Sequence, residues 1–234
     1  MKLVWCPELA SKAYIDGVRV LADHDGPAEV AELVSAMAGG WNAQLIVEAP
    51  DVSDSDQAPS SSSSTTRPPA ATSLALAAAA RRTGGRYACV LPDAASAAAY
   101  DPPQTTTTAA DVVVGEADAA MARLEGVDLL VVDARRRDAE AVLRAARPGP
   151  RGMVVVRHGG VDAGSRRRGA AAATGAGTRV VRSVYLPIGK GGVEVLHVGV
   201  GKGPSLRTRA AAPAGRWIRH VNHHTGEEHV FRRQ

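Results

Sequence analysis

Aromatic residues are almost missing from this chain, with one Phe, three Trp and four Tyr among 234 residues. A core with so few rings has to be built from Ala, Val and Leu. Such side chains suit parallel strands packed under Ala-rich helices. Cysteine is scarce as well, at Cys6 and Cys89 only. Two thiols are too few for a disulfide framework, so a reducing compartment is the simplest expectation. No apolar run approaches the roughly 20 residues that a membrane-spanning helix needs. The stretch from Met1 to Glu8 meets an acid without a long apolar segment and does not read as a secretory leader. A cytoplasmic or nuclear protein without membrane contact is expected.

What is plentiful is Arg, which supplies most of a net charge of +4 and a pI of about 9.4. Two arginine runs, 135–137 and 166–168, have no aromatics between them. They read as solvated surface, and this argues against nucleic acid as a partner. A chain of this size fits one ordinary α/β domain with an appendage.

The apolar pattern alternates between helix and strand. Residues 8–22 and 27–37 have helical spacing, with Pro7 suited to a first turn and Gly39-Gly40 to a stop. A buried strand at 43–48 ends on Glu48. Residues 51–71 form a Ser/Thr/Pro tract too polar to bury itself and read as a disordered insert. A helix follows at 73–83, with Thr72 as its N-cap and Gly84 as its stop, then a second strand at 86–91. After a short helix at 94–100, a second polar insert occupies 101–109. Further strands are expected at 111–114, 127–132 and 152–157, separated by helices at 117–124 and 137–147 and a turn at 148–150. The Gly/Arg/Ala-rich stretch 159–177 reads as a loop.

Two strand-like runs, 180–186 and 193–200, are then separated by six residues, 187–192. So short a connection makes an antiparallel hairpin and not a crossover. Parallel βα units closed by such a hairpin match one common architecture. It is the mostly parallel, Rossmann-like seven-stranded sheet of the S-adenosylmethionine-dependent methyltransferases. Residues 1–203 are assigned to this domain. Residues 204–234 read as a basic linker and a small hairpin tail, a place for a protein partner to dock. The tail holds His220, His223, His224 and His229. Alternate residues of a hairpin point to opposite faces and no Cys joins them, which argues against zinc.

Several longer motifs carry a resemblance. Near the start they are Met1 to Trp5 with Pro7-Glu8, Ala10 to Ile15, Ala31 to Ala38, Gly40-Trp41-Asn42-Ala43 and Leu45 to Ala49. Further on come Thr83 to Arg86, Pro92-Asp93, Val131-Val132-Asp133, Arg216 to Val221 and Gly226 to Phe231. Over nearly the whole chain, the inserts apart, these resemble a family of small plant proteins known as domain of unknown function 1442 and described as methyltransferase-like. The resemblance implies the fold above and leaves the activity unassigned.

One step further out, the order of elements is similar to plant-type small-molecule O-methyltransferases of the catechol and caffeoyl-ester group. That likeness implies a Gly-rich turn after the first strand, an acid after the second, a metal-binding Asp after the fourth and an Asp-Asn pair after the fifth. Glu48 stands at the first position, but Pro50 replaces the first Gly, and Ala71-Thr72-Ser73 replaces the glycine-containing helix start. Glu48 and Ser73 are therefore the candidate cofactor contacts there. Asp93 is the candidate ribose acid, two residues beyond the implied position, or else a helix cap. Glu116 is a candidate near the adenine, or else a first-turn acid. Asp133 and His158 are the candidate catalytic residues, with His158 as a general base on an acceptor hydroxyl. Arg157 and His158 replace the Asp-Asn pair, and a guanidinium would repel a divalent ion, so no metal is assigned.

Two functions compete. In the first, the chain is a methyltransferase-like protein with degenerate cofactor motifs that binds a small ligand or a partner with weak or no catalysis. In the second, it is an active, metal-independent methyltransferase that holds S-adenosylmethionine with Glu48, Asp93 and Glu116. Methyl transfer needs little beyond in-line positioning, which keeps the second reading open.

Overall fold

The computed structural model of the protein describes residues 5–24, 26–52, 70–103, 111–174 and 177–201, and the backbone alone of 217–221 and 228–232. Most of the two inserts (53–69 and 104–109), the linker 204–216 and the histidine side chains of the tail lie outside the described residues.

Two helices, α1 (Pro7–Val20) and α2 (Glu29–Gly40), precede the first strand, β1 (Leu45–Ala49). Then come α3 (Ala71–Thr83), β2 (Arg86–Leu91), α4 (Ala94–Ala99), β3 (Asp111–Val114) and α5 (Ala117–Met121). A short strand β4 (Glu125–Val127) leads to β5 (Leu129–Asp133), α6 (Ala139–Ala145), a second short strand β6 (Arg147–Pro148), β7 (Met153–His158) and α7 (Ala163–Ala172). The hairpin strands are β8 (Thr178–Leu186) and β9 (Val193–Val200), and β10 (Trp217–Val221) pairs with β11 (Glu228–Arg232) in a separate antiparallel ladder.

The main sheet has seven strands in the order β3-β2-β1-β5-β7-β9-β8. Its first five are parallel, and β9 enters antiparallel between β7 and β8. This is the methyltransferase-like arrangement that the hairpin after the parallel units predicts. Strand side chains alternate between two covered faces, as parallel strands require. Ile46, Cys89, Leu129 and Val154 face a core shared with α1, α2 and α3. Val47, Val90, Leu130 and Val155 face a core shared with α5, α6 and α7.

Three local readings are corrected. Gly39 and Gly40 do not stop α2 but lie inside it, and Trp41 is the C-cap. A Cβ on Gly39 would strike the Leu9 carbonyl oxygen and the Ala13 methyl, and one on Gly40 would strike the Trp5 ring, so both serve close packing of the N-terminal segment. Thr72 does not cap α3; Ala70 holds the N-cap position without a side-chain bond. The stretch 159–177 is not a loop, because α7 runs through it. Asp162 caps this helix by accepting from the Ser165 N–H at 2.5 Å, and Ala and Arg are strong helix formers. Gly169, in its second half, leaves room for the Arg157 guanidinium behind the helix.

Candidate functional site

Ligands of open α/β sheets bind beyond the carboxyl ends of the strands, where the strand order reverses. In this sheet the reversal lies between β1 and β5. Glu48 stands at the end of β1, Asp133 at the end of β5 and His158 at the end of β7, with Asp133 and His158 in register.

Glu48 is 1% exposed. An unpaired carboxylate there would be costly, and hydrogen bonds must offset its desolvation. Three hydroxyls do so. Thr72 Oγ1 donates at 2.5 Å, Ser73 Oγ at 2.7 Å, and the Tyr87 hydroxyl also donates to Oε2. Tyr87 lies 3.2 Å, oxygen to oxygen, from the hydroxyl of Tyr100. Burial, reinforced by Glu48, raises the Tyr87 hydroxyl well above the usual phenol range, and burial also pushes up Tyr100 and the Cys89 thiol. All three stay protonated at neutral pH, so Glu48 is ringed by neutral donors.

Arg136 closes the neighbouring space and is 5% exposed. Its Nη1 donates to the Val90 carbonyl at 2.5 Å and to the Pro50 carbonyl at 3.4 Å, tying the ends of β2 and β1 together. Its Nη2 donates to Asp138 at 2.9 Å, and Nε donates to the same carboxylate. Asp133 is bound by its neighbour: its Oδ1 accepts from the Arg135 backbone N–H at 2.9 Å and from Nε at 3.2 Å, and its Oδ2 from Nη2 at 2.8 Å. In the run 135–137, Arg135 and Arg137 are exposed, as the solvated-surface reading expects, and Arg136 alone is corrected: it is buried, with Asp138 and two carbonyls as its partners.

The Nε2 of His158 is buried and has no hydrogen-bond partner among the described residues. Burial lowers its pKa against the pull of Asp133 and Glu48, so the imidazole is neutral near pH 7. Arg157, one residue earlier, points to the other face. Its Nη1 donates to Glu194 at 2.6 Å and its Nη2 to Ser165 Oγ at 2.7 Å, in a pair 2% and 1% exposed.

The structure brings Glu48 and Ser73 into direct contact and sets Asp133 beside His158. Asp93 is spent as the cap of α4, accepting from the Ser96 N–H at 2.7 Å, a bond that also lowers its pKa. Glu116 is exposed at the start of α5 and makes no side-chain cap. Sequence reasoning missed Tyr87, Tyr100, Thr72 and Arg136. The signal was available for Tyr87 alone: it shares with Cys89 the strand face that Glu48 uses, and a buried acid needs donors.

The fold family implies S-adenosylmethionine, and the residues present do not fit it in this arrangement. Glu48 is taken up by hydroxyls of its own chain, and Pro50 stands at the turn where close backbone approach is needed. The Pro50 carbonyl holds Arg136, and the acid after β2 caps a helix. Among the described residues, no three His, Cys, Asp or Glu groups are placed to hold a metal ion, and no helix is long and apolar enough to cross a membrane.

Comparison with solved structures gives distant likenesses. A methyltransferase from Geobacter sulfurreducens is 13% identical, with 80% of this chain and 88% of that one covered and a TM-score of 0.43. The S-adenosylhomocysteine-bound Podospora anserina methyltransferase PaMTH1 is 12% identical, with coverage of 85% and 90% and a TM-score of 0.43. The Methanococcus jannaschii fibrillarin pre-rRNA processing protein is 14% identical, with coverage of 68% and 67% and a TM-score of 0.40. No curated protein matches the chain. The match that spans it, over residues 1–233, is to a family, and the chain belongs to that family, described as protein of unknown function (DUF1442).

Proposed function

We propose that this chain is a methyltransferase-like protein that binds a small ligand at the carboxyl end of its sheet and has weak or no methyl-transfer activity. One observation carries the reading. The crevice at the strand-order reversal is closed by the chain itself, with Glu48 held by Thr72, Ser73 and Tyr87 and Arg136 fastened to the Pro50 and Val90 carbonyls. A cofactor entering there would have to displace charge-assisted bonds already made, each worth about 1.5–3 kcal/mol. The test is calorimetric titration with S-adenosylmethionine and S-adenosylhomocysteine, with and without Mg²⁺, paired with a labelled-methyl assay over a panel of acceptors. The expected result is no binding up to about millimolar ligand, on the order of 4 kcal/mol of affinity. Micromolar binding with turnover of any acceptor would overturn the proposal.

A second reading, an active metal-independent methyltransferase, is favoured by His158. Its imidazole is neutral, its Nε2 has no partner among the described residues, and it stands beside Asp133, as a general base on an acceptor hydroxyl would. On this reading Glu48→Ala abolishes cofactor binding while the fold persists. Unchanged affinity in that variant would remove it.

A further inference from the structure

Helix α1 carries apolar residues on two faces, and the larger ones are outside. Its buried face is Ala10, Ala13 and Gly17, small enough to lie against α2 and α3. A Cβ on Gly17 would already strike the Ser35 hydroxyl at 2.8 Å. A second face presents Tyr14 at 43%, Ile15 at 46% and Val18 at 38% exposure. Nine large hydrophobic side chains are exposed among the described residues, and five of them, with Trp5 and Val20, fall within residues 5–20. Spacings of three and four place Ser11, Tyr14, Ile15 and Val18 in one stripe. The Tyr14 hydroxyl donates to Glu32 of α2 at 3.2 Å, so the ring can be covered without stranding its polar tip. A contiguous apolar stripe turned to solvent and rimmed by charges marks an interaction surface.

One flank of the stripe carries Glu8, Lys12, Asp16 and Arg19. Their spacings of four, four and three residues run them up one side of the helix. Read forwards they are acid, base, acid, base; read backwards every sign is reversed. The outer pair, Glu8 and Arg19, and the inner pair, Lys12 and Asp16, are both centred on residues 13 and 14. Within one copy these charges make local pairs: Lys12 with Glu8 at 2.6 Å and Arg19 with Asp16 at 3.7 Å, while Asp16 also takes Arg82 of α3 at 2.6 Å. The side chains of Glu8 and Arg19 are each 74% exposed, which leaves both room for a further partner.

Two identical helices packed antiparallel about a two-fold axis set like flank against like flank, in opposite directions. A flank whose signs reverse when read backwards is therefore complementary to itself. We propose that α1 is the contact between two copies of this chain, packed antiparallel about such an axis. The two Tyr14 rings lie beside the axis, and Ile15 and Val18 of each copy cover Ser11 and Pro7 of the other. Glu8 of one copy meets Arg19 of the other, twice over, and Lys12 approaches Asp16. A partner of one charge sign would meet as many like charges as opposite ones on this flank. The chain's own stretch 204–234 is basic and gains nothing from a flank of zero net charge. A helix of 14 residues is about 21 Å long, so the contact is a small one, and dissociation in the micromolar range is expected. This inference goes beyond the ligand reading and does not depend on it.

The test is sedimentation equilibrium of the full chain from about 1 to 200 μM, the range in which a contact of this size dissociates. A reversible step from 24.2 kDa to twice that mass is expected. Ile15→Lys brings a cation against Lys12 of the other copy and should weaken the dimer at least about tenfold, the loss of a central apolar contact. Val181→Lys, an equally exposed site on the edge strand β8, should leave it unchanged. Glu8→Arg and Arg19→Glu should each weaken it about threefold to tenfold, as two reciprocal exposed pairs turn repulsive, and together they should restore the parent affinity. All four sites are exposed, and circular dichroism checks that each variant is folded. A dimer that survives Ile15→Lys but not Val181→Lys lies on the sheet edge and overturns the proposal. A double variant weaker than either single one overturns the antiparallel arrangement. A parent chain that stays monomeric overturns the proposal outright: loss of stability in Ile15→Lys would then show the stripe covered within the chain, and unchanged stability would leave it to a different protein.

Discussion

Tyr87→Phe is the smallest change that probes the buried acid. It removes one donor from Glu48 and leaves the ring in place, so its effect reads the hydrogen bond and not the packing. The expected cost is about 1–3 kcal/mol of unfolding free energy, the penalty of an under-satisfied buried acceptor, measured by urea denaturation with an unchanged m-value. A variant as stable as the parent would mean that Thr72 and Ser73 satisfy the carboxylate alone. At this scale the sequence was only partly legible. Glu48 and Asp133 announce themselves, because an acid that ends an apolar run is conspicuous. Arg136 did not, because in sequence a buried arginine looks like its solvated neighbours. Its burial depends on two carbonyls that only the sheet brings together, at the ends of β1 and β2.

At the scale of elements, two glycines make contrasting predictions. Gly84 ends α3 in the left-handed region at φ 67°, with nothing within 4 Å of an added Cβ. Gly84→Ala should cost about 1 kcal/mol, from backbone strain alone. Gly39 has ordinary helical backbone but lies against Leu9 and Ala13 of α1. Gly39→Ala forces the two helices apart and should cost about 1–3 kcal/mol, the range for overpacking. Thermal denaturation of the pair checks both, and a cost for Gly84→Ala above that for Gly39→Ala would contradict the packing described here. Strands and their order were legible because apolar runs and one short hairpin connection leave few alternatives. The ends of helices were less so. A glycine that stops a helix and one that admits a neighbouring helix are the same letter, and α7 was lost among its Gly and Arg residues until Asp162 is seen as its cap.

For the whole molecule, the histidines set a direction with pH. Burial lowers the pKa of both His158 and His197 from the ordinary 6.5. The unfolded chain then binds protons more readily than the folded one in the acid range, so stability rises with pH there. The contribution is fully present above about 6.5 and is lost as the pH falls from there through the lowered folded values. Urea midpoints at pH 7.5 and 5.5 should differ in that sense. His158→Gln should flatten the dependence, and an equal drop in parent and variant would leave the effect to other groups.

The placement of β9 between β7 and β8 has a consequence for how the chain is made. On the ribosome β7 and Arg157 are synthesised well before β9, and Glu194 follows Arg157 by 37 residues. Until then β7 is a bare edge carrying a cation destined for the interior without its counter-charge. β8, though made before β9, has no place in the sheet because its one neighbour there is still to come. The last strands therefore join as a pair, closing edge and charge in one step, and nascent chains that stall before Val193 are the forms most in need of a chaperone.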